Sequence, residues 1–293
     1  IPQFMRNTLQ INTGKNSFSE VGRLANIHQT DWSWAVLAAD YNNDGKKDLY
    51  ITNGYLKNIT DRDFAIYSYH NRHGRIEEGK ERVAINKALD DLPGAKLKNV
   101  LFMQGGQFTF LDEATEAGLA YPSFSNGAAY ADLDNDGDYD LLVNNLNDKA
   151  FLFENQSNHK TSGNHYLKIS FEGDSKNLFG EGAKLMIETD QGIQHYEKHS
   201  VRGYLSSVSQ NIIIGLGPST KIKKLTVIWP DGKKQILENL SADQSLLLRY
   251  SNSLVAKPSI AQMQKALALV KAQFDAGKIS ASDYTNALVK MAQ

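Results

Sequence analysis

One short stretch of the sequence has aspartates at alternate positions, and such residues can form a metal site. Residues 132–140 read Asp-Leu-Asp-Asn-Asp-Gly-Asp-Tyr-Asp. Calcium takes six to eight oxygen ligands, and a tight loop can supply several of them from alternate positions. Gly137 permits the sharp turn that a Cβ atom would obstruct, and the carboxylates repel one another without a cation. The stretch therefore predicts a calcium loop. Its expected ligands are the side chains of Asp132, Asp134, Asp136 and Asp140 and the backbone carbonyl of Asp138.

The flanks of this loop indicate strands rather than helices. Residues 126–131 and 141–143 are short segments rich in small and apolar side chains, a pattern typical of strands. An EF-hand would have helices on both sides and a glutamate at position twelve, where this sequence has Val143. We therefore predict a strand–calcium loop–strand unit. The alternative is a solvated acidic turn, which has no need of strict alternation.

The same unit occurs earlier in the chain. Residues 40–48 read Asp-Tyr-Asn-Asn-Asp-Gly-Lys-Lys-Asp, with oxygen donors at positions one, three, five and nine and glycine at position six. The offset that places Asp40 on Asp132 also places Asn7 on Asn99 without a gap. A match of this length is an internal repeat, so we predict two calcium sites. The expected ligands of the first site are Asp40, Asn42, Asp44 and Asp48, with the backbone carbonyl of Lys46.

The two loops differ in charge. The loop at 132–140 has five aspartates and no basic residue, whereas the loop at 40–48 has three aspartates and also Lys46 and Lys47. Calcium affinity in such loops rises with the charge of the ligands. We expect both lysines to point to solvent, where screening weakens their effect. The sequence therefore predicts that the second loop binds calcium more tightly than the first.

Length and composition exclude several classes of protein. The chain has 293 residues, a formal net charge of −1 and no cysteine. The length predicts about two domains, and the charge gives no reason to expect a nucleic-acid partner. The lack of cysteine excludes disulfides and thiolate metal sites. No apolar run approaches the ~18 residues that span a bilayer, so we expect no membrane span. Because cytosolic calcium is scarce, we expect an extracytoplasmic location.

Four regions follow from the pattern along the chain. Residues 1–157 contain both loop units, and a helix-compatible insertion interrupts them at about 55–97. Residues 164–250 contain many short strand-like runs, which predict a β-sandwich or barrel. Residues 258–293 contain two amphipathic segments separated at Gly277, which predict a helical hairpin. The expected fold class is all-β with minor helices.

The insertion gathers aromatic and basic side chains. Long insertions in repeat folds tend to lie on the binding face, and these side chains suit sugars or acidic groups. A helical cap over a sheet edge is an equally good interpretation. Just before the first loop, Trp32 and Trp34 are expected to pack between sheets rather than to bind a ligand. The candidate ligand-binding residues are Tyr55, Tyr67, His70, Arg72, His73 and Arg75.

Two sets of motifs resemble known families. The aspartate loops resemble the FG-GAP or VCBS repeats of β-propellers. Residues 180–250 resemble the ASPIC/UnbV domain, and the combination over about residues 5–250 resembles the cartilage-acidic-protein-like surface proteins common in Bacteroidota. The motifs that carry the second resemblance are Gly180-Glu181-Gly182-Ala183-Lys184, Arg202-Gly203-Tyr204, Gly215-Leu216-Gly217 and Val227-Ile228-Trp229-Pro230-Asp231-Gly232.

The resemblance implies calcium-loop β-propeller blades, then a β-sandwich or barrel domain, with calcium in both loops. The C-terminal helical hairpin lies outside it. Propellers of that family have several blades and this sequence shows two, so we expect the other blades to come from a longer chain or a partner. Ile1 is accordingly expected to lie inside a longer chain.

These patterns predict a non-catalytic, calcium-stabilised binding or scaffold module for glycan or protein ligands at the cell surface, outer-membrane-associated or secreted. The sequence has no Gly-x-Ser-x-Gly elbow and no His-Glu-x-x-His motif, the signatures of two hydrolase classes. Two alternatives stay open. In the first, the chain is part of a calcium-dependent polysaccharide-degrading enzyme whose acid–base group lies in the insertion. The other is a structural subunit of a larger surface complex, whose exposed sheet edge joins other blades.

Overall fold

The computed structural model describes residues 6–59, 61–73, 80–106, 108–158, 163–254 and 260–292. Strands predominate among them and helices are few, which confirms the expected all-β class with minor helices. Within the described residues the sheets stay open, and none of them closes into a barrel or a propeller.

The first acidic loop connects two neighbouring strands of a four-stranded antiparallel sheet. A short hairpin of β1 (Gln10–Asn12) and β2 (Phe18–Glu20) precedes this sheet. In spatial order, the strands of the sheet are β3 (Ser33–Ala39), β4 (Asp48–Asn53), β6 (Val100–Gln104) and β7 (Phe110–Asp112). The last two follow the insertion in the chain, so the hairpin that opens the second repeat completes the sheet of the first.

The second acidic loop has the same setting in a three-stranded sheet. Ala131 pairs with Asp140 across this loop, as Ala39 pairs with Asp48 across the first. The prediction of two strand–loop–strand units is therefore confirmed. A small pair formed by β5 (Leu97–Lys98) and β8 (Pro122–Ser123) precedes the sheet. The strands of the sheet are β9 (Ser125–Ala131), β10 (Asp140–Asn145) and β11 (Phe151–Phe153), with β10 in the middle.

The insertion consists of two helices. The two segments that join it to the sheet are hydrogen-bonded to each other and form its closed base. Helix α1 (Arg62–His73) begins after Asp61, whose Oδ1 accepts the N–H of Phe64 at 3.0 Å, an N-terminal cap. Helix α2 (Lys80–Asp91) is the second helix of the insertion, whose sequence is helix-compatible, and residues 60 and 74–79 lie outside the described residues. At the base, the backbones of Tyr55 and Ala95 exchange two hydrogen bonds of 3.2 and 2.9 Å.

The region after residue 164 contains two sheets that share one hydrophobic cluster. Leu167 and Ile214 contribute to this cluster from one sheet, and Leu185 and Val227 contribute from the other. The first sheet contains β12 (His165–Glu172), β15 (Ile212–Gly217) and β18 (Gln244–Arg249), with β12 in the middle. The second contains, in spatial order, β14 (Gly192–Glu197), β13 (Lys184–Thr189), β16 (Lys221–Ile228) and β17 (Lys234–Ser241). The strand-rich prediction for this region is confirmed.

Two paired helices follow the last strand, as expected. Helices α3 (Ile260–Asp275) and α4 (Ala281–Ala292) meet where Phe274 stacks on Tyr284, with ring centroids 4.7 Å apart. Ser280 caps α4: its Oγ accepts the N–H of Asp283 at 3.1 Å, and its own N–H donates to Asp283 Oδ2 at 3.3 Å. This reciprocal pair is a capping box. No helix among the described residues is long and apolar enough to cross a membrane.

The first acidic loop packs directly on the backbone of β15. The N–H of Gly217 donates to the carbonyl oxygen of Asn43 at 2.9 Å. A Cβ atom built on Gly215 would lie 2.0 Å from Asp40 Oδ2 and 2.6 Å from Asn43 Cα. Such contacts are shorter than van der Waals distances, so only glycine allows the loop and the strand to approach this closely.

We expect Gly215→Ala to destabilise the protein by about 1–3 kcal/mol, because the added methyl group must push the loop away from the strand. The control is Gly105→Ala, whose new methyl group would meet nothing closer than 3.9 Å. Urea unfolding at equilibrium measures both variants. Equal midpoints for the two variants would contradict the close packing of the first loop on β15.

Candidate metal centre

Three carboxylates converge in the second acidic loop. One oxygen each of Asp132, Asp134 and Asp136 lie within 4.8 Å of one another. Asn135 and Gly137 have positive φ angles of 67° and 94°, and this tight backbone turns alternate side chains to one side of the loop. The residues predicted for positions one, three and five of a calcium loop are thus brought together.

One oxygen of this cluster has the environment of a metal ligand. Asp132 Oδ1 is buried and, among the described residues, no hydrogen-bond donor reaches it. Burying a carboxylate oxygen without a donor or a cation is unfavourable. Calcium prefers oxygen ligands and tolerates irregular geometry, so the donor set of this loop fits it.

The aspartates at position nine of the two loops, Asp48 and Asp140, accept hydrogen bonds from backbone N–H groups. Asp140 Oδ2 accepts the N–H of Leu133 at 2.8 Å, and its Oδ1 accepts the N–H of Asn155 at 2.8 Å. Asp48 Oδ2 accepts the N–H of Tyr41 at 3.1 Å in the first loop. Each carboxylate therefore ties the start of its loop to its end.

Asp138 is more deeply buried than its expected role requires. The sequence assigns only its backbone carbonyl to calcium, but its side chain is fully buried and Oδ2 accepts the N–H of Asn158 at 3.1 Å. Burial raises the pKa of Asp138 to about 7, and the neighbouring charges of Asp136 and Asp140 act in the same direction. A cation would stabilise the ionised form of this carboxyl group.

The first loop holds its oxygens in internal hydrogen bonds. The two oxygens of Asp40 accept the N–H groups of Asp44 at 3.1 Å and Gly45 at 2.8 Å. Asn42 Oδ1 also accepts the N–H of Asp44, and Asp44 Oδ2 lies 3.0 Å from Lys46 Nζ. Burial raises the pKa of Asp40 to about 7 and that of Asp48 to about 6. Within the described part of the chain, only the second loop brings three carboxylates together.

Lys47 does not point to solvent as expected. Its Nζ lies 3.9 Å from the centroid of the Tyr196 ring, a cation–π contact. Burial lowers the pKa of Lys47 to about 8, which Arg202 reinforces and Asp40 opposes. The expectation for Lys47 was wrong because β14 packs over this side of the loop, and no pattern within the loop shows that partner. Lys46 is exposed, as expected.

The two loops contact each other. Asn43 Nδ2 of the first loop donates to the carbonyl oxygen of Gly137 in the second at 3.1 Å. Asn155 Nδ2 donates to the carbonyl oxygens of Tyr41 at 2.7 Å and of Tyr139 at 3.1 Å, one in each loop. The acidic loops therefore form one connected polar centre rather than two separate surface turns.

Strand β12 supplies a cation that the sequence reading missed. Lys168 Nζ lies 2.7 Å from Asp132 Oδ2 and 2.9 Å from Asn135 Oδ1. The side chains of Lys168 and Asp132 are only 10% and 2% exposed, so this ion pair is buried. The available signal was a lysine between Leu167 and Ile169, which both face the core. Because side chains alternate along a strand, Lys168 had to face the other side of the sheet.

The candidate ligand-binding residues of the insertion do not form one described group. Tyr55 packs on Trp32, with ring centroids 5.3 Å apart, and Trp34 packs on Tyr204 at 5.0 Å. Both tryptophans are therefore packed against aromatic neighbours. The remaining candidates follow in the chain: Tyr67 and His70 lie in α1, Arg72 and His73 lie in α1 with only their backbone described, and Arg75 lies outside the described residues.

Comparison with protein families agrees with the two resemblances. Residues 3–51 match the model of the FG-GAP-like repeat, a range that includes the first acidic loop. Residues 173–255 match the model named ASPIC and UnbV. The chain thus combines an FG-GAP-like repeat with an ASPIC/UnbV domain. A comparison with curated proteins gives no match.

We expect Lys168→Met to destabilise the calcium-free protein by about 3–5 kcal/mol, because Asp132 stays buried without its cation. Calcium should restore part of this loss by supplying charge to the same carboxylate. The control is Lys223→Met, which removes an exposed ion pair with Asp190 and should change stability little. Urea unfolding with and without calcium measures both, and equal losses in the two variants would contradict the role of Lys168.

The raised pKa of Asp138 predicts that the stability of the calcium-free protein depends on pH. The folded, calcium-free protein holds the proton of Asp138 more tightly than the unfolded chain does, so stability falls as pH rises from about 4 to about 7. Asp138→Asn should reduce this fall, and saturating calcium should do the same by stabilising the carboxylate. Thermal unfolding midpoints across this pH range test it. The same slope in wild type and Asp138→Asn would refute it.

Proposed function

We propose that this chain is a non-catalytic, calcium-stabilised module that binds glycan or protein ligands, or acts as a scaffold, at the cell surface outside the cytoplasm. The observation that carries the proposal is the convergence of Asp132, Asp134 and Asp136 around the unpaired, buried Asp132 Oδ1. The FG-GAP-like match over 3–51 supports it, since the same acidic pattern occurs in that range.

In the proposed site, a bound calcium ion would neutralise the crowded carboxylates and would accept six to eight oxygen ligands. The residues of the chain hold the loops in shape, with Asp48 and Asp140 closing each turn on its own backbone. The second loop would hold the ion through Asp132, Asp134, Asp136 and Asp140 and the carbonyl of Asp138. The first would use Asp40, Asn42, Asp44 and Asp48 and the carbonyl of Lys46.

The finer architecture is part of the same proposal. The sheets that contain β3 and β9 would be two propeller blades, with further blades from a longer chain or a partner. The two sheets that share one core after residue 164 would form a β-sandwich. This arrangement would be that of the cartilage-acidic-protein-like surface proteins.

One observation favours the scaffold role over glycan binding. A groove on the sheet of β9, β10 and β11 is lined mainly by apolar side chains, including those of Leu142, Leu152 and Leu205. Their exposed fractions are 39%, 65% and 90%. A contiguous apolar surface of this kind is typical of protein–protein contacts. The two aromatic residues of the groove, Phe151 and Tyr204, are packed on Tyr121 and Trp34.

The proposal predicts a stability increase on adding calcium. At a calcium concentration one hundred times its Kd, one site adds about 2.7 kcal/mol. We expect Asp136→Ala to lose more of this increase than Asp44→Ala, because three carboxylates converge in the second loop and Asp44 is paired with Lys46 in the first.

Calorimetric titration of calcium into each variant, with thermal unfolding in calcium and after its removal, measures both effects. Identical unfolding curves for the wild type with and without calcium would refute the proposed function. A greater loss in Asp44→Ala would show instead that the rigidity of the first loop outweighs ligand charge.

A further inference from the structure

A cavity of about 190 Å³ lies where the first acidic loop meets the ASPIC/UnbV part of the chain. It is separate from the three-carboxylate cluster and from the helices of the insertion. Both halves of the described structure contribute to its walls. The lining side chains that matter here are Lys47, Tyr130, Tyr139, Tyr196, Arg202 and Asn211.

Two cations line this cavity without a carboxylate partner. Among the described residues, neither Lys47 nor Arg202 has an acidic group within ion-pair distance. The guanidinium of Arg202 is held by backbone carbonyls instead: Nε donates to that of His199 at 3.1 Å and Nη2 to that of Glu197 at 3.3 Å. The Nζ atom of Lys47 lies over the Tyr196 ring, 3.9 Å from its centroid, and both cations line the same cavity.

The other charged residues nearby do not neutralise the positive charge of Lys47 and Arg202. Lys198, another wall residue, is neutralised by Glu181 at 3.0 Å and also bonds Gln210 at 2.9 Å. Glu197 also lines the cavity, but its side chain is exposed to solvent and, within the described part of the chain, forms no ion pair with Lys47 or Arg202. Among the described residues, Asp40 and Asp48 form no ion pair with Lys47, and both accept backbone N–H groups of their own loop.

The remaining wall offers aromatic surface and hydrogen-bond donors. The rings of Tyr130 and Tyr139 have centroids 4.5 Å apart, and the oxygen of Tyr139 accepts the N–H of Ile213 at 2.7 Å. Among the described residues, no hydrogen bond uses the hydroxyl group of Tyr130. Asn211 accepts a hydrogen bond from Ser170 through Oδ1 at 2.9 Å, which leaves its NH₂ group for a ligand.

We propose that this cavity binds a small organic carboxylate. The carboxylate lies between Lys47 and Arg202, since guanidinium and ammonium groups are the strongest partners of this anion. The rest of the ligand contacts the tyrosine rings. Drug-sized ligands occupy pockets of about 300–1,000 Å³, so this smaller cavity suits a molecule the size of one sugar acid or one amino acid. The inference goes beyond the proposed function, which assigns no ligand to this place.

The test titrates the full chain, in calcium, with glucuronate, benzoate and acetate. Glucose is the neutral control for glucuronate, and inorganic phosphate is the control for a general anion site. We expect at least one carboxylate to bind saturably with a Kd of about 1 mM or tighter, and glucose not to bind. No saturation by any of the three carboxylates up to about 10 mM, or tighter binding of phosphate than of all three, would overturn the proposal.

Substitutions of Lys47 and Arg202 test whether the carboxylate binds in this cavity. Lys47→Met and Arg202→Gln should each weaken carboxylate binding at least tenfold, a loss of about 1.4 kcal/mol, whereas the surface control Lys223→Met should not. Arg202→Lys keeps the positive charge and controls for loss of fold. It should bind the carboxylate more weakly than wild type, because the planar guanidinium group with its paired N–H donors is lost. Unchanged affinity in both Lys47→Met and Arg202→Gln would overturn the assignment. The calcium response of each variant, measured separately, distinguishes this failure from failure of the proposed function.

Discussion

The burial of acidic loops against a β-sheet is the constraint on which the rest of this structure depends. Carboxylates such as Asp40 and Asp132 would be hydrated in an isolated loop, but here β15 and β12 close over them. Removing a charged group from water is unfavourable unless a donor or an opposite charge replaces the water. The chain meets this requirement with backbone N–H groups in the first loop and with Lys168 in the second.

Placing these loops at a junction changes what they do for the fold. Asn43 and Asn155 link one loop to the other, and Gly217 links the first loop to the ASPIC/UnbV part. A Cβ atom at Gly137 would lie 2.1 Å from the Tyr166 ring, so the second loop also packs on β12. Any change in the charge of a loop is therefore felt by both β parts, and the stability of the loops and of the junction is shared.

The sequence predicts the strands and loops well, but it predicts poorly which residues pack against them. The alternating aspartates, the repeat and the strand-rich region each have a local pattern, and the structure has strands and turns at those places. The direction of Lys47, the buried pair of Lys168 and the bracing role of Asp140 depend on residues far away in the chain. Alternation shows which side of a strand Lys168 occupies, but not what lies opposite. A pattern within one segment carries no information on the segment that packs against it.

The closed base of the insertion has a consequence for how this protein can change. Tyr55 and Ala95 hydrogen-bond to each other, so the chain leaves and re-enters the sheet at one point while β4 and β6 stay adjacent. Segments joined at such a point can be lengthened, shortened or replaced without moving the strands on either side. The same place is suited to modular exchange: a tag, a reporter domain or a foreign binding loop could be grafted there, with the acidic loops left intact.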